Sequence, residues 1–89
     1  MNKVEIKYCS LCGWLIRSSW MAQELLTTFS QELDEVSLQP ASSGLFEIVV
    51  NGKRVWSREH DGGFPDIKTL KQRVRDIVIP SKDLGHIDR

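Results

Sequence analysis

The two cysteines, Cys9 and Cys12, stand three residues apart between two stretches of different hydrophobic periodicity. Before them, apolar and charged side chains alternate over residues 4–8, which predicts a strand with one apolar face. After them, apolar side chains recur at helical spacing over residues 14–33, which predicts one helix of about five turns with Ser10 as its N-cap. The sequence therefore places both thiols where a strand turns into a helix.

A Cys-x-x-Cys pair at such a position favours redox chemistry. A disulfide can span this spacing if the second cysteine lies in the first helical turn. The free N–H groups and the dipole of a helix N-terminus also favour a thiolate. Strand, Cys-x-x-Cys, helix and strand is the order of a thioredoxin-like redox site. We expect one thiolate to attack an oxidised sulfur and the other to resolve the product as a Cys9–Cys12 disulfide, and the attacking cysteine is left open.

The remaining pattern predicts the element order β-α-β-β-β-α. Three more strands are expected over residues 35–39, 45–50 and 53–57, and Asn51-Gly52 predicts a two-residue hairpin turn. Residues 58–65 are expected to form a loop, after which Asp66 caps a last helix that Pro80 stops. The predicted fold class is α/β (α+β), a thioredoxin-like sandwich with a four-stranded mixed sheet. Its cysteine pair lies at the carboxyl end of the first strand, where open α/β sheets bind ligands.

Length and charge limit the classes of function. The 89 residues make one small domain, expected over residues 1–79, with a flexible polar tail over 80–89. Twelve basic residues balance twelve acidic ones, which argues against nucleic acid and anionic membranes as partners. No apolar run approaches the roughly 20 residues that span a bilayer, and the N-terminus lacks a signal-peptide core. We therefore expect a cytoplasmic protein, in which close thiols cycle or bind metal rather than form a lasting disulfide.

Four short motifs, with the separations between them, indicate a family resemblance. They are Tyr8-Cys9-Ser10-Leu11-Cys12-Gly13, Ser43-Gly44-Leu45-Phe46-Glu47-Ile48, Asn51-Gly52-Lys53-Arg54-Val55 and Asp61-Gly62-Gly63-Phe64, and the strand end at Ser57 also matches. Together they resemble the selenoprotein W family, the Rdx group of thioredoxin-like proteins, over nearly the whole chain to about residue 78. The resemblance implies a small thiol-based redox protein, in some members linked to glutathione. Animal members carry selenocysteine at the position of Cys12; cysteine at both positions is usual for bacterial relatives and implies a weaker nucleophile there.

Segments beside the cysteine pair are expected to dock a substrate or partner. The candidate docking residues are Ser10, Leu11, Trp14, Ser43, Gly44 and Phe64. For Trp14, packing beside the site and partner docking are both open, and Phe64 is expected in a hydrophobic rim because the resemblance places its loop near the site. Thioredoxins carry a cis-proline just before the third strand, whereas Pro40 precedes that strand by several residues. Ser43 or the backbone around Gly44 is expected to fill the corresponding space, and Trp20 is expected in the core.

The predicted function is that of a thiol–disulfide oxidoreductase with no bound cofactor. Its expected partners are thiol or disulfide proteins or glutathione, the latter as a co-substrate, and both a monomer and a weak homodimer are compatible with the sequence. Two alternatives stay open: a non-catalytic adaptor whose docking is regulated by the cysteine pair, and a metal-binding module. The spacing of His60 and His86 does not match a zinc finger. Most basic side chains, Arg58 among them, are expected to form a solvated face.

Overall fold

A four-stranded sheet covered by helices is the framework of the computed structural model, which describes residues 1–88. The elements in chain order are β1 (Lys3–Cys9), α1 (Leu15–Thr28), β2 (Glu35–Ala41), β3 (Phe46–Val50), β4 (Lys53–Ser57), α2 (Arg58–Asp61), α3 (Ile67–Val78) and a 3-10 helix (Gly85–Asp88). The predicted β-α-β-β-β-α order is present, with α2 and the 3-10 helix added to it.

The strands lie in the order β2-β1-β3-β4, so β1 is flanked on both sides. β1 pairs in parallel with β2 and antiparallel with β3, and β3 forms a hairpin with β4. The hairpin turn is made by Asn51 and Gly52, both with positive φ angles, as a type I′ turn requires. The predicted four-stranded mixed sheet is confirmed.

The core forms because alternate residues of the strands face the helices. Val4, Ile6 and Tyr8 of β1 stand opposite Val50, Ile48 and Phe46 of β3, and all six are buried. The helices contribute buried side chains from one face each, namely Met21, Ala22 and Leu25 from α1 and Leu70 and Val74 from α3. One hydrophobic cluster therefore joins the sheet to both long helices, as the period-2 and helical patterns predict.

The first helix begins later than predicted. Its N-cap is Trp14, whose side chain makes no capping hydrogen bond, so the prediction of Ser10 as N-cap is wrong. Residues 10–13 form a turn instead, and Cys12 lies in that turn rather than in the first helical turn. Gly13 has a φ of 76°, a left-handed conformation that glycine adopts without strain, and it leads the chain from this turn towards α1.

The first helix also ends earlier than predicted, after 14 residues. Phe29, at the C-cap, leaves the helical conformation with φ −111° and ψ 42°. Phe29 and Leu33 are nevertheless buried, because the turn after α1 carries them into the core. Apolar spacing continued through this turn, and that continuity misled the boundary prediction. Trp20 is 47% exposed, so its predicted place in the core is wrong.

Two further boundaries differ from the sequence prediction. β2 runs on through Pro40 to Ala41; the proline is tolerated there because β2 is an edge strand and needs fewer ladder hydrogen bonds. The predicted loop over residues 58–65 contains α2, where the Ser57 hydroxyl accepts a hydrogen bond from the His60 backbone N–H. The predicted cap of α3 is confirmed, since the Asp66 carboxylate accepts a hydrogen bond from the Thr69 backbone N–H at 2.7 Å.

The segment after α3 makes several contacts with the domain. Leu84 is half-buried against the core, Lys82 Nζ lies 3.1 Å from a Glu32 carboxylate oxygen, and the Arg75 guanidinium donates to the Lys82 carbonyl at 2.8 Å. The domain over 1–79 and the flexible tail over 80–89 stay predictions, and residue 89 of that tail lies outside the described residues. None of the helices in residues 1–88 is long and apolar enough to cross a membrane.

Candidate redox site

A disulfide joins Cys9 and Cys12, with their Cα atoms 5.3 Å apart. That separation lies within the usual range for disulfides. Cys9 is the last residue of β1, and Cys12 lies in the turn between β1 and α1. The Cys-x-x-Cys motif therefore forms an intramolecular disulfide at the carboxyl end of β1.

The two cysteines differ in exposure. Cys9 is fully buried, whereas Cys12 is exposed. The difference follows from their positions, because Cys9 continues a strand with neighbours on both sides and Cys12 lies in the turn that leaves the sheet. Ser10 and Leu11 between them are also exposed, Leu11 to 93%. A molecule approaching the disulfide from solvent meets Cys12 first.

The connection from β2 to β3 passes across the same end of the sheet. β2 ends at Ala41, opposite Cys9, and β3 begins at Phe46, opposite Tyr8. Since these strands lie on either side of β1, the turn between them crosses the carboxyl end of β1. Ser43 and Gly44 belong to this turn, so the fold brings them to the end of the sheet that carries the cysteines. Their role in docking stays a prediction.

Three aromatic rings lie beside the cysteine turn. The centroid of Phe64 lies 5.0 Å from that of Trp14 and 4.9 Å from that of Phe46, both in edge-to-face arrangement. Phe46 is buried, while Trp14 and Phe64 are half-buried. The loop before α3 is thus packed against the residue that caps α1, close to Cys12 in sequence. Trp14 accordingly packs and also presents surface to solvent.

Two arginines that the sequence analysis did not place in the site stack on these rings. The guanidinium carbon of Arg17 lies 4.1 Å from the Phe64 centroid. That of Arg58 lies 5.1 Å from the Trp14 centroid and 5.7 Å from the Phe64 centroid. Distances of this kind are typical of cation–π contacts. The sequence alone gave only weak signs that these arginines belong to the site. Arg17 falls in the first helical turn after the motif, and Arg58 follows β4 at the same end of the sheet as Cys9.

Hydrogen bonds between Ser57, His60 and Asp61 fix the start of α2, whose first residue is Arg58. The Ser57 backbone N–H donates to the Asp61 carboxylate at 2.9 Å, and the Ser57 hydroxyl accepts from the His60 backbone N–H. The Ser57 N–H lowers the pKa of Asp61, and a hydrogen bond and the charge of Arg73 also lower it. His60 takes part in this arrangement through its backbone N–H.

The N-terminus of α1 adds positive potential to the site. Its first turn contains no acidic residue, and the side chain of its N-cap accepts no hydrogen bond from the free N–H groups. The helix dipole at this end is therefore not neutralised by a capping side chain. Arg17 in the first turn adds a full positive charge nearby.

An open groove of about 730 Å³ begins next to the motif. It runs from Gly13 and Trp14 along the exposed side of α1 to the start of α3, and Arg17, Trp20 and Ile67 also line it. Its volume lies within the range of small-molecule and cofactor pockets. Among the described side chains of residues 1–86, no cluster of three or more histidine, cysteine, aspartate or glutamate residues is placed to hold a metal ion.

A mixed four-stranded sheet with a Cys-x-x-Cys disulfide between its first strand and first helix defines a thioredoxin-like protein. The chain belongs to the Rdx family, whose family model matches residues 3–76. The resemblance found in the four sequence motifs is thereby confirmed. Family and disulfide together support a redox-related role.

Crystal structures of bacterial proteins are similar over most of the chain. One, a selenoprotein W-related protein from Vibrio cholerae, has a TM-score of 0.85 and 52% sequence identity, covering 86% of this chain and 96% of the other. Another, from Bordetella parapertussis, has a TM-score of 0.83 and 56% identity, covering 84% of this chain and 95% of the other.

Two mammalian proteins named migration and invasion enhancer 1 are more distant relatives. The mouse protein is 30% identical over 74 residues, which is 81% of this chain, and the bovine protein is 28% identical over 75 residues, which is 82% of this chain. These matches cover 61% and 62% of the two mammalian proteins, so this chain spans about three fifths of their length.

Proposed function

We propose that this protein is a thiol–disulfide oxidoreductase in which Cys12 attacks the substrate and Cys9 resolves the intermediate. The observation that carries the assignment is the difference in exposure: Cys12 reaches solvent and Cys9 does not. A substrate sulfur must approach the attacking thiolate in line with the bond it breaks, and only the exposed cysteine permits that approach.

The reduced protein transfers two electrons in two exchange steps. The Cys12 thiolate attacks one sulfur of a substrate disulfide, a bond forms between these sulfurs, and the other substrate sulfur leaves as a thiolate that takes a proton from water. Cys9 then loses its proton to water, and its thiolate attacks the Cys12 sulfur. The bond between Cys12 and the substrate breaks, and the second substrate sulfur leaves as a thiolate that takes a proton from water. The product is the Cys9–Cys12 disulfide that the structure contains, and the substrate disulfide has become two thiols.

Positive potential around the site favours the thiolate of Cys12. The uncapped N-terminus of α1 and the guanidinium groups of Arg17 and Arg58 supply it. A second thiol compound must reopen the disulfide in each cycle, and we propose glutathione or a protein dithiol as that co-substrate. The cycle requires a reducing compartment such as the cytoplasm and no bound cofactor.

Serine variants of each cysteine test this assignment. With 2-hydroxyethyl disulfide as the probe, reduced Cys9→Ser should accumulate a stable mixed disulfide on Cys12, because no resolving thiol is present. Reduced Cys12→Ser should react at least about 10-fold more slowly, because the remaining thiol is buried. Mass spectrometry after acid quenching measures both adducts. Faster reaction of Cys12→Ser than of Cys9→Ser would reverse the assignment, and no reaction of the unsubstituted protein would refute the function.

The exposed apolar surface beside the disulfide favours a second candidate function, that of a redox-regulated adaptor. Leu11 is 93%, Ile16 is 83% and Trp20 is 47% exposed, and all three lie near the motif in sequence. If the protein is an adaptor, the Cys12→Ser variant, which cannot form the disulfide, should bind the partner as tightly as one redox state of the unsubstituted protein does. The unsubstituted protein should then show no catalytic turnover of disulfides. Turnover with a reduction potential between about −270 and −180 mV for the pair, the span from thioredoxin to disulfide isomerase, supports the oxidoreductase instead.

A further inference from the structure

We propose that Arg17 and Arg58 bind the carboxylates of an acidic peptide segment that carries the reacting cysteine of a partner protein. The proposal rests on the oxidoreductase function above and names the class of substrate that the site accepts. The partner segment would lie with its cysteine at Cys12 and its acidic side chains over the Trp14–Phe64 ring pair.

The two guanidinium groups share one ring and have no acidic partner within the described chain. Both guanidinium carbons lie within 5.7 Å of the Phe64 centroid. Among the described side chains of residues 1–86, neither arginine makes an ion pair with an aspartate or glutamate, whereas several other basic side chains do: Arg54, Lys71, Arg73, Arg75 and Lys82. Two like charges so close to one ring repel each other. A bound carboxylate would offset that repulsion.

Their places over the rings leave the arginines suited to bind anions. A guanidinium that covers a ring with its face keeps its N–H groups at the edge, where they can donate to a carboxylate in pairs. The two groups are also held by different elements, Arg17 by the first turn of α1 and Arg58 by the capped start of α2. Their backbone positions are therefore set before any ligand arrives, and the ring contacts keep both guanidinium groups near Phe64.

The adjoining groove favours a peptide over a small anion. The groove has a volume of about 730 Å³ and runs along α1 from Gly13. A small anion bound by the two arginines alone would leave most of it empty. Ile16 and Trp20 in its wall are exposed apolar side chains that a peptide side chain would cover. Asp66, the acidic residue in the lining, already accepts the Thr69 N–H. An extended segment with acidic and apolar residues around its cysteine fits both parts of the surface.

A pair of matched peptide probes tests the proposal. Each peptide carries one cysteine as a mixed disulfide with 2-mercaptoethanol, followed by one leucine and by either two glutamates or two glutamines. The rate constant for attack by the reduced protein is measured by quenching and mass spectrometry. The acidic peptide should react at least about 10-fold faster at about 20 mM salt, and high salt should reduce this preference through screening.

Charge variants locate the source of the preference. Arg17→Gln and Arg58→Gln should each reduce the ratio of the two rate constants at least about 3-fold. Lys53→Gln is the control, because it removes one positive charge at the hairpin end of β4, away from the cysteines, and should leave the ratio unchanged. Rates with neutral 2-hydroxyethyl disulfide report any change in thiolate reactivity, which affects both peptides alike and cancels in the ratio.

Each result separates this proposal from the proposed function. If the unsubstituted protein does not reduce 2-hydroxyethyl disulfide, the oxidoreductase function fails. If it reduces that probe but treats both peptides alike, the acidic-segment proposal is overturned and the function stands. Faster reaction with glutathione disulfide than with the acidic peptide would also overturn the proposal. It would likewise be overturned by a dimer, detected by sedimentation velocity, in which fluorescence quenching shows that Trp20 is protected from solvent.

Discussion

The indole ring of Trp14 and the phenyl ring of Phe64 meet edge to face, at an interplanar angle of 84°. Trp14 is the N-cap of α1, and Phe64 lies in the segment between α2 and α3. The contact therefore ties the turn that carries Cys12 to a segment distant in sequence. Phe64 also contacts buried Phe46, which anchors this pair to β3.

The ring contact should be measurable as a coupling energy. Trp14→Ala and Phe64→Ala are each expected to lower the free energy of unfolding, and the double variant should lose less than the sum of the two. The expected coupling is about 0.5–1.5 kcal/mol, the range for aromatic pairs. Urea unfolding of the four proteins, all reduced, gives the cycle. A coupling near zero would mean that the two rings contribute independently.

Neighbouring leucines on α1 should differ strongly in their contribution to stability. Leu25 is fully buried in the core, and Leu26 is 44% exposed. Leu25→Ala should lower the free energy of unfolding by about 2–5 kcal/mol, because it opens a cavity in the core. Leu26→Ala is the matched control and should cost less than about 1.5 kcal/mol. Equal losses in urea unfolding would contradict the orientation of α1.

A buried serine on the same helix should be replaceable with a gain in stability. Ser18 is fully buried, and its hydroxyl has no hydrogen-bond partner within the described chain. Since an unsatisfied buried hydroxyl is unfavourable, Ser18→Ala should raise the free energy of unfolding by about 1 kcal/mol. Ser19→Ala, at a half-buried position, controls for the higher helix propensity of alanine. A loss of stability in Ser18→Ala would show that the hydroxyl is satisfied in solution.

Local sequence rules predicted the sheet and the ends of α3. The alternation of apolar residues in β1 and β3 determines which residues face the helices, and one register buries all six, from the Val4–Val50 pair to the Tyr8–Phe46 pair. The hairpin and the Asp66 cap depend on a few adjacent residues whose chemistry is specific. The hairpin turn and the cap can be predicted because no distant contact is needed to produce them, whereas the pairing of β1 with β3 joins distant residues through their matching apolar alternation.

The start of α1 depends on the local disulfide turn, whereas the arginines meet only through distant contacts. Ser10 is a suitable N-cap by residue type, but the disulfide turn from Cys9 to Gly13 delays the helix. Arg17 and Arg58 come together only because Phe64 packs between elements that are far apart in sequence. Helical periodicity alone also could not show that the chain leaves α1 at Phe29 while keeping its side chain in the core.

The cap of α3 should make stability depend on pH. The Thr69 backbone N–H, which donates to the Asp66 carboxylate, lowers the pKa of Asp66. Because the pKa is lower in the folded than in the unfolded protein, the stabilisation is fully present above the unfolded-state pKa and is lost as the pH falls through the folded-state pKa. Asp66→Asn keeps an acceptor oxygen but does not titrate, whereas Asp66→Ala removes the cap at every pH.

Urea unfolding of these variants between about pH 2 and pH 7 measures that dependence. The stability advantage of the unsubstituted protein over Asp66→Asn should be largest near neutral pH and should shrink as the carboxylate is protonated. Asp66→Ala should be the least stable of the three near neutral pH. The pKa of Asp61 is also lowered, so its contribution to stability is likewise lost as the pH falls. All three proteins share this loss of stability, which therefore cancels in the comparison. If the difference in stability between the unsubstituted protein and the Asp66→Asn variant stays constant across this range, the ionised carboxylate adds nothing to the cap.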